Sequence, residues 1–220
     1  MARTISVKGI GSVKAAPDYV VINMELESRS QDYEAALELA SGKIGLLGAA
    51  LESIGFDRKA LKTTNFDVST DYERAMDKNG NYKSVFKGYI CSHSLKVEFD
   101  FDTKLLARVL CAVSECSVHP ELSICFTVKD PSAVKKELLV SAAKNATEKA
   151  QILCEASGTK LGELISIDYN WSELSIISHT NYALEEKCMA MPMGSALANI
   201  DIEPDDIDLR DTVSFVWAIC

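Results

Sequence analysis

The chain lacks the features that would place it in a membrane or on nucleic acid. No apolar run approaches the roughly 18 residues that a membrane-spanning helix needs. No basic run occurs, and the formal net charge is −9, so the chain has no positive field to hold nucleic acid or anionic lipid. We therefore expect no nucleic-acid partner and no integral membrane segment.

Paired cysteine motifs are missing as well. The seven cysteines are an odd number, and no two form a C-x-x-C motif. Most lie in apolar surroundings, which is typical of reduced thiols that serve as small core residues; the alternatives are a disulfide framework or a metal site. The three histidines have no partner at the helical spacing of a zinc site. We expect no cofactor and no metal centre, and the thiols favour a reducing compartment.

Signatures of catalysis are also absent. There is no G-x-S-x-G elbow and no H-E-x-x-H sequence. Gly9 and Gly11 look like the start of a dinucleotide fingerprint, but no third glycine follows and the next element is a predicted strand. The favoured interpretation of these glycines is a bulge or a close strand contact. We predict that the chain is not an enzyme, with an unrecognised hydrolase as an alternative.

The first residues lack a charged segment followed by an apolar stretch, and the first predicted strand starts at Thr4. From the chain as given, we expect a cytoplasmic protein. A periplasmic or envelope location is expected instead if a signal peptide has been removed.

Two pairs of extended segments are present. Residues 4–13 and 19–27 are joined by Pro17-Asp18 and predict an antiparallel pair. Residues 60–72 and 82–99 form a second pair, with Asn79-Gly80 in the turn between them. Further strands are predicted over residues 122–128, 164–171 and 207–219.

Three segments have helical periodicity, namely residues 31–54, 103–116 and 130–157. Ser30 is a candidate N-cap of the first helix, and Gly55 is its candidate stop. The order ββα-ββα-βα-ββ predicts an α+β fold of antiparallel sheets with helices packed on one face. Two interleaved lobes are expected, one over residues 1–80 plus 205–220 and one over 81–204, sharing the C-terminal strand.

Three glycines lie inside the first predicted helix, at Gly42, Gly45 and Gly48. Each costs about 1 kcal/mol relative to alanine in a helix interior. Their spacing predicts close approach of another backbone, either within this chain or from a second subunit.

A segment rich in sulfur is the most unusual local feature. Cys188, Met189, Met191 and Met193 are the candidate soft-metal or oxidant-sensitive residues. Thiols and thioethers select Cu(I), and exposed methionines react reversibly with oxidants. The alternative is that these side chains pack against the sheet or a neighbouring subunit.

Several motifs together resemble the SIMPL-domain family. They are G-x-G-x-V at Gly9 with Pro17-Asp18, Lys87-Gly88-Tyr89, the G-x-x-L-G stretch from Gly158 to Gly162, and Ile202-Glu203-Pro204 before the last strand. The family consists mostly of bacterial envelope-associated proteins, some named for oxidative-stress defence or as periplasmic immunogenic proteins, with no agreed activity. The resemblance implies one SIMPL-like domain over residues 1–220 and self-association, including ring-like oligomers. It implies no catalytic residues.

The sequence thus predicts a non-enzymatic SIMPL-type protein that forms homo-oligomers and acts as a scaffold or binding module, with an unknown small-molecule ligand. One alternative is a stress-response protein that works through thiols and methionines or binds Cu(I). The other is the unrecognised hydrolase.

Overall fold

The structure is a computed structural model that describes residues 3–76, 82–169, 174–180 and 202–220, together with the backbone of residues 182–183. It confirms the α+β class. The elements, in chain order, are β1 (Thr4–Ala15), β2 (Tyr19–Ser30), α1 (Tyr33–Ser53), a 3-10 turn (Arg58–Ala60), β3 (Lys62–Met76), β4 (Tyr82–Asp100), α2 (Thr103–Glu115), β5 (Glu121–Thr127), α3 (Pro131–Ala156), β6 (Leu161–Asp168), β7 (Tyr182–Ala183) and β8 (Ile207–Ile219). Among the helices in these ranges, none is long and apolar enough to span a bilayer.

The chain forms two compact units. The terminal unit comprises Met1–Asp18, Phe126–Thr180 and Pro204–Cys220, and the central unit comprises Tyr19–Cys125 and Asn181–Glu203. The predicted division of one domain into two interleaved lobes, residues 1–80 plus 205–220 and residues 81–204, stays a prediction.

The terminal unit is built on a three-stranded sheet in the order β1-β8-β6, with β8 antiparallel to both neighbours. Helix α3 packs on β1 and β8. Its alanines meet apolar residues of the sheet, including Val7, Val213, Phe215 and Trp217. Small residues on the helix allow it to lie close to the strands, which sets the thickness of this core.

Gly9 and Gly11 are required where α3 crosses β1. A Cβ atom on Gly9 would lie 2.1 Å from the carbonyl oxygen of Ala142, and one on Gly11 would lie 2.2 Å from that of Leu138. The close contact predicted from sequence is therefore made with a helix, and neither a bulge nor a neighbouring strand is the cause. The register of β1 with β8 is regular throughout.

The ends of α3 follow from its sequence. The carboxylate of Asp130 accepts hydrogen bonds from the backbone N–H groups of Ser132 and Ala133, and Pro131 occupies the first turn, where no N–H is needed. Gly158 adopts a φ of 69°, a conformation that favours glycine at a helix C-terminus. The predicted start and stop of this helix are confirmed.

The central unit contains most of a five-stranded sheet in the order β3-β4-β2-β5-β7, and the boundary between the units falls within β5. Helix α1 packs on β2 and β4, and α2 packs on α1. Buried residues of α1 are Ala36, Ala40, Leu47 and Leu51. The strands contribute Val20, Ile22, Met24, Leu26, Leu95 and Val97 to this core.

The predicted antiparallel pairing of β1 with β2 is wrong. β1 pairs with β8, whereas β2 pairs with β4, so the two strands lie in different sheets. The link between the two strands is held by residues at the end of β5 and just after it. The N–H of Asp18 donates to the carbonyl of Thr127 at 3.1 Å, and the N–H of Lys129 donates to the Asp18 carboxylate at 2.7 Å. A proline followed by an anchored aspartate therefore redirects the chain instead of closing a hairpin.

The predicted N-cap of α1 is also wrong. Its N-cap is Asp32, whose carboxylate accepts from the N–H of Ala35, while the predicted cap, Ser30, still belongs to β2. A Cβ atom on Gly42, Gly45 or Gly48 would meet no described atom within 4 Å. The helix packs through its alanine and leucine face, so the predicted contact of these glycines within the chain is not made with any residue that the structure describes. The contact with a second subunit stays a prediction. The predicted stop at Gly55 is confirmed by its φ of 104°.

Candidate functional site: the aromatic face of the β3–β4 arm

Strands β3 and β4 form the long antiparallel pair that the sequence predicted, with a register from Lys62 opposite Lys96 to Met76 opposite Tyr82. The predicted turn at Asn79-Gly80 lies outside the described residues. We call the distal part of this pair, residues 69–76 and 82–89, the arm. Most residues of the arm are exposed, in contrast to the alternating burial of residues 91–99.

A bulge fixes which side chains share a face of the arm. The register shifts between Asp71, opposite Gly88, and Tyr72, opposite Phe86, so one residue of β4 is left over. Gly88 has a φ of 143°, and a Cβ atom there would lie 2.2 Å from the carbonyl oxygen of Ser30. Glycine is thus required for the chain to pass the end of β2.

Beyond the bulge, large apolar side chains line one face of the arm. The aromatic face, as we define it, consists of Tyr72, Met76, Tyr82, Phe86 and Tyr89 of the arm with Tyr33 of α1. Successive rings meet edge to face, with centroid distances of 5.6 Å for Tyr72 and Phe86, 5.4 Å for Phe86 and Tyr89, and 5.3 Å for Tyr89 and Tyr33. Met76 and Tyr82 lie opposite each other two pairs further along the same face.

The aromatic face is exposed because the helix layer ends beside it. Helix α1 begins at Tyr33, whose ring contacts that of Tyr89. The rings of the arm beyond Tyr89 therefore extend past the first residue of the helix. Tyr72 is 57% exposed, Met76 61% and Tyr82 70%. Arg74, opposite Ser84, separates the Tyr72–Phe86 pair from the Met76–Tyr82 pair on this face. Clusters of large exposed apolar side chains mark interaction sites on folded proteins.

The opposite face of the arm is polar. The ammonium group of Lys87 lies 2.6 Å from the carboxylate of Glu73, and their hydrogen bond lowers the pKa of Glu73 and raises that of Lys87. Arg29 of β2 pairs with Asp71 at 3.4 Å and with Glu27 at 3.0 Å. The arm is therefore amphipathic, with a charged side suited to water and an aromatic side suited to a partner.

A second cluster of polar groups is buried under α1. His93 of β4 is 7% exposed; its Nε2 lies 2.8 Å from the Thr63 hydroxyl, and its ring meets Phe66 edge to face at 4.9 Å. His93 Nδ1 and the Ser28 hydroxyl have no hydrogen-bond partner among the described residues. Burial lowers the pKa of His93, which holds the ring neutral.

Cys91 lies directly opposite Ser28 and is fully buried. Burial, with a smaller contribution from the Asp67 charge, raises the pKa of its thiol, so Cys91 stays protonated and unreactive. Thr63 and His93 are at the distance of a nucleophile and its base, but no described group orients Nδ1 as a catalytic triad requires. This cluster therefore belongs to the packing of the sheet.

The sulfur-rich residues predicted from sequence, Cys188, Met189, Met191 and Met193, lie outside the described residues, so the soft-metal hypothesis stays a prediction. Within the described ranges, no group of three His, Cys, Asp or Glu side chains is arranged to hold a metal ion. The sequence reasoning missed the aromatic face. Its signal was present, since Tyr72, Tyr82 and Phe86 gather near one predicted turn.

Comparison with known protein families agrees with the family resemblance that the sequence motifs indicated. The model of the SIMPL family, described as a protein of unknown function (DUF541), matches residues 5–217. The chain belongs to the SIMPL family. This SIMPL protein is 27% identical over 171 residues to the 26 kDa periplasmic immunogenic protein of Brucella abortus (strain S19), covering 78% of this chain and 66% of that protein.

A second SIMPL relative is the uncharacterized protein YggE of Escherichia coli (strain K12). It is 26% identical over 168 residues, which cover 76% of this chain and 66% of YggE. The match thus spans just under two thirds of the length of these relatives. Neither name assigns an activity.

Proposed function

We propose that this SIMPL protein is a non-enzymatic, self-assembling scaffold or binding module, and that copies associate through the aromatic face of the arm. The observation that carries the proposal is the exposure of Tyr72, Met76, Tyr82 and Phe86 on one side of the arm. Side chains of this kind are enriched in protein interfaces and supply much of their binding energy.

The size of the aromatic face supports this proposal. A large aromatic side chain buries about 150–250 Å² when covered, and a standard interface buries about 800 Å² on each partner. Met76 and four of the five rings are about half exposed, so the aromatic face offers the apolar centre of such an interface, and residues around it would supply the remaining area. The opposite face carries two ion pairs, Glu73 with Lys87 and Arg29 with Asp71. These charged groups favour solvent exposure, so the aromatic face is the side of the arm that would bind a partner.

Sedimentation velocity at tens of micromolar tests the proposal. The wild-type protein is expected to sediment as an oligomer, and the double variant Tyr72→Ser with Phe86→Ser is expected to sediment as a smaller species. The matched control is Val85→Ser, because Val85 adjoins Phe86 in sequence, is 44% exposed as Phe86 is, and lies on the polar face. The control is expected to keep the oligomer.

A monomeric wild-type protein would remove the assembly part of the proposal. An unchanged sedimentation coefficient in a folded double variant would leave assembly standing but exclude the aromatic face as its interface. Far-UV circular dichroism establishes that each variant is folded.

The compartment and the alternatives remain proposals. The name of the Brucella relative supports the periplasm or envelope, while the six described cysteines, which are free, support the cytoplasm. Fractionation of cells that express the native gene decides between them. The Cu(I) or oxidant hypothesis rests on the segment around Met189 to Met193. The hydrolase alternative stays a prediction.

A further inference from the structure

The three-stranded sheet of the terminal unit has two edges, and they differ. The outer edge of β1 is already hydrogen-bonded by side chains of α3. The N–H of Ile10 donates to the Asn145 side chain at 2.9 Å, and the N–H of Ser12 donates to the Ser141 hydroxyl at 3.3 Å, which in turn donates to the Ser12 carbonyl. These bonds occupy the groups that a further strand would need, so the β1 edge is closed.

The β6 edge is open among the described residues. Leu161–Asp168 pairs only with β8, and no hydrogen bond from another described element reaches it. The strand also carries apolar side chains that are about half exposed: Leu164 at 47%, Ile165 at 55% and Ile167 at 56%. An edge strand that combines unpaired backbone groups with exposed apolar residues is a template for another strand.

Charge at the ends of β6 indicates what kind of strand fits. Glu163 and Asp168 flank the apolar stretch and are both exposed, and neither forms an ion pair with a described residue. In an antiparallel pairing of two β6 strands centred between Ile165 and Ser166, each Glu163 would face the Asp168 of the other copy, and like charges opposite each other are unfavourable. A strand with basic ends would place opposite charges there instead.

We propose that the open edge of β6 binds an extended segment of another polypeptide, apolar in its alternating residues and basic at its ends, by adding it as a fourth strand to the sheet. Backbone hydrogen bonds supply affinity, and the side chains of Leu164, Ile165 and Ile167 with the flanking acids supply selectivity. This surface lies in the terminal unit and does not depend on the aromatic face of the arm.

The test uses the full chain and a fluorescent, end-blocked peptide, Lys-Val-Thr-Ile-Thr-Lys, whose two lysines have the same spacing as Glu163 and Asp168. Fluorescence anisotropy measures binding, and amide hydrogen exchange measures protection of residues 161–168. We expect saturable binding that slows exchange in β6. Replacing both terminal lysines by glutamate is expected to weaken binding about tenfold or more, since two favourable cross-strand pairs become repulsive.

Two controls distinguish strand addition from nonspecific hydrophobic binding. A peptide methylated on alternate backbone nitrogens keeps its side chains but cannot form the ladder, so it is expected not to bind. Ile167→Lys is expected to weaken binding about tenfold or more, whereas Ile152→Lys, on an exposed residue of α3 in the same unit, is expected to leave it unchanged.

Equal binding of the methylated peptide would overturn the proposal, as would binding without slower exchange in β6. Amides of β6 that are already protected in the free protein would overturn it too, because another part of the chain would then cover the edge. A change in sedimentation caused by Ile167→Lys without peptide would assign the edge to a second copy of the chain. None of these results depends on whether the aromatic face mediates assembly.

Discussion

Strand β4 passes through two environments. Along residues 91–99, the inward side chains are buried beneath helices: Leu95 is 1% exposed and Val97 is fully buried. Along residues 82–89, apolar side chains line one face of the arm, but Tyr82 is 70% exposed and Phe86 44%. The contrast teaches that alternation in a strand identifies its apolar face, while only the tertiary structure decides whether the chain itself covers that face.

The largest expected effect comes from removing a side chain in the covered half of β4. Leu95→Ala is expected to lower the free energy of unfolding by about 2–5 kcal/mol, because it leaves a cavity under α1. Tyr82→Ala, in the uncovered half, is expected to change it by about 0.5 kcal/mol or less. Urea unfolding at a protein concentration below assembly measures both values. Similar losses in the two variants would erase the contrast between the halves.

The same contrast between covered and uncovered surfaces is found at two glycines, Gly9 beneath α3 and Gly45 on α1. Gly9→Ala would push a Cβ atom against the α3 backbone at Ala142, so we expect a loss of about 1–3 kcal/mol in the free energy of unfolding. Gly45→Ala has open space around it and is expected to gain about 1 kcal/mol from helix propensity. The same urea experiment measures both. A lower free energy of unfolding in Gly45→Ala would instead indicate that another backbone packs closely on α1, as the spacing of its glycines predicted.

The smallest expected effect concerns pH at the covered half of β4. Burial lowers the pKa of His93 below its unfolded value of about 6.5, so the unfolded chain binds the proton more readily. The contribution of His93 to stability is therefore complete above about pH 6.5 and is lost as the pH falls through its folded pKa, with a slope of at most about 1.4 kcal/mol per pH unit. His93→Gln is expected to flatten this part of the curve. Thermal unfolding between pH 5 and 8 measures it, and an unchanged slope in the variant would assign the effect to other groups.

Much of the fold could be predicted because its signals are local. The predicted second and third helices begin next to Asp102 and Asp130, which cap them because a short carboxylate reaches the free N–H groups of the first turn. Gly55 and Gly158 end helices because each adopts a positive φ. The β3–β4 pair was predicted from two alternating strands and an Asn-Gly turn, all within about forty residues.

The predictions that failed depended on distant partners. Nothing near Pro17 and Asp18 reveals that Thr127 and Lys129 fix that link, so adjacent strands were assigned to one hairpin. Gly9 and Gly42 look alike in sequence, yet one lies under α3 and the other has open space around it. The aromatic face was missed for the same reason, because apolar alternation alone predicts burial.

The central position of β8 in its sheet has a consequence for synthesis of the protein. Thr4 pairs with Ala218, so β1 lacks its partner in the sheet until β8 has left the ribosome. At typical rates of about 5–20 residues per second, this leaves β1 waiting on the order of ten seconds or longer. The larger part of the central unit, Tyr19–Cys125, is contiguous in sequence and leaves the ribosome during that time. During this interval the nascent chain is therefore expected to expose β1 without its partner β8, which makes β1 a site for a chaperone that binds unpaired strands.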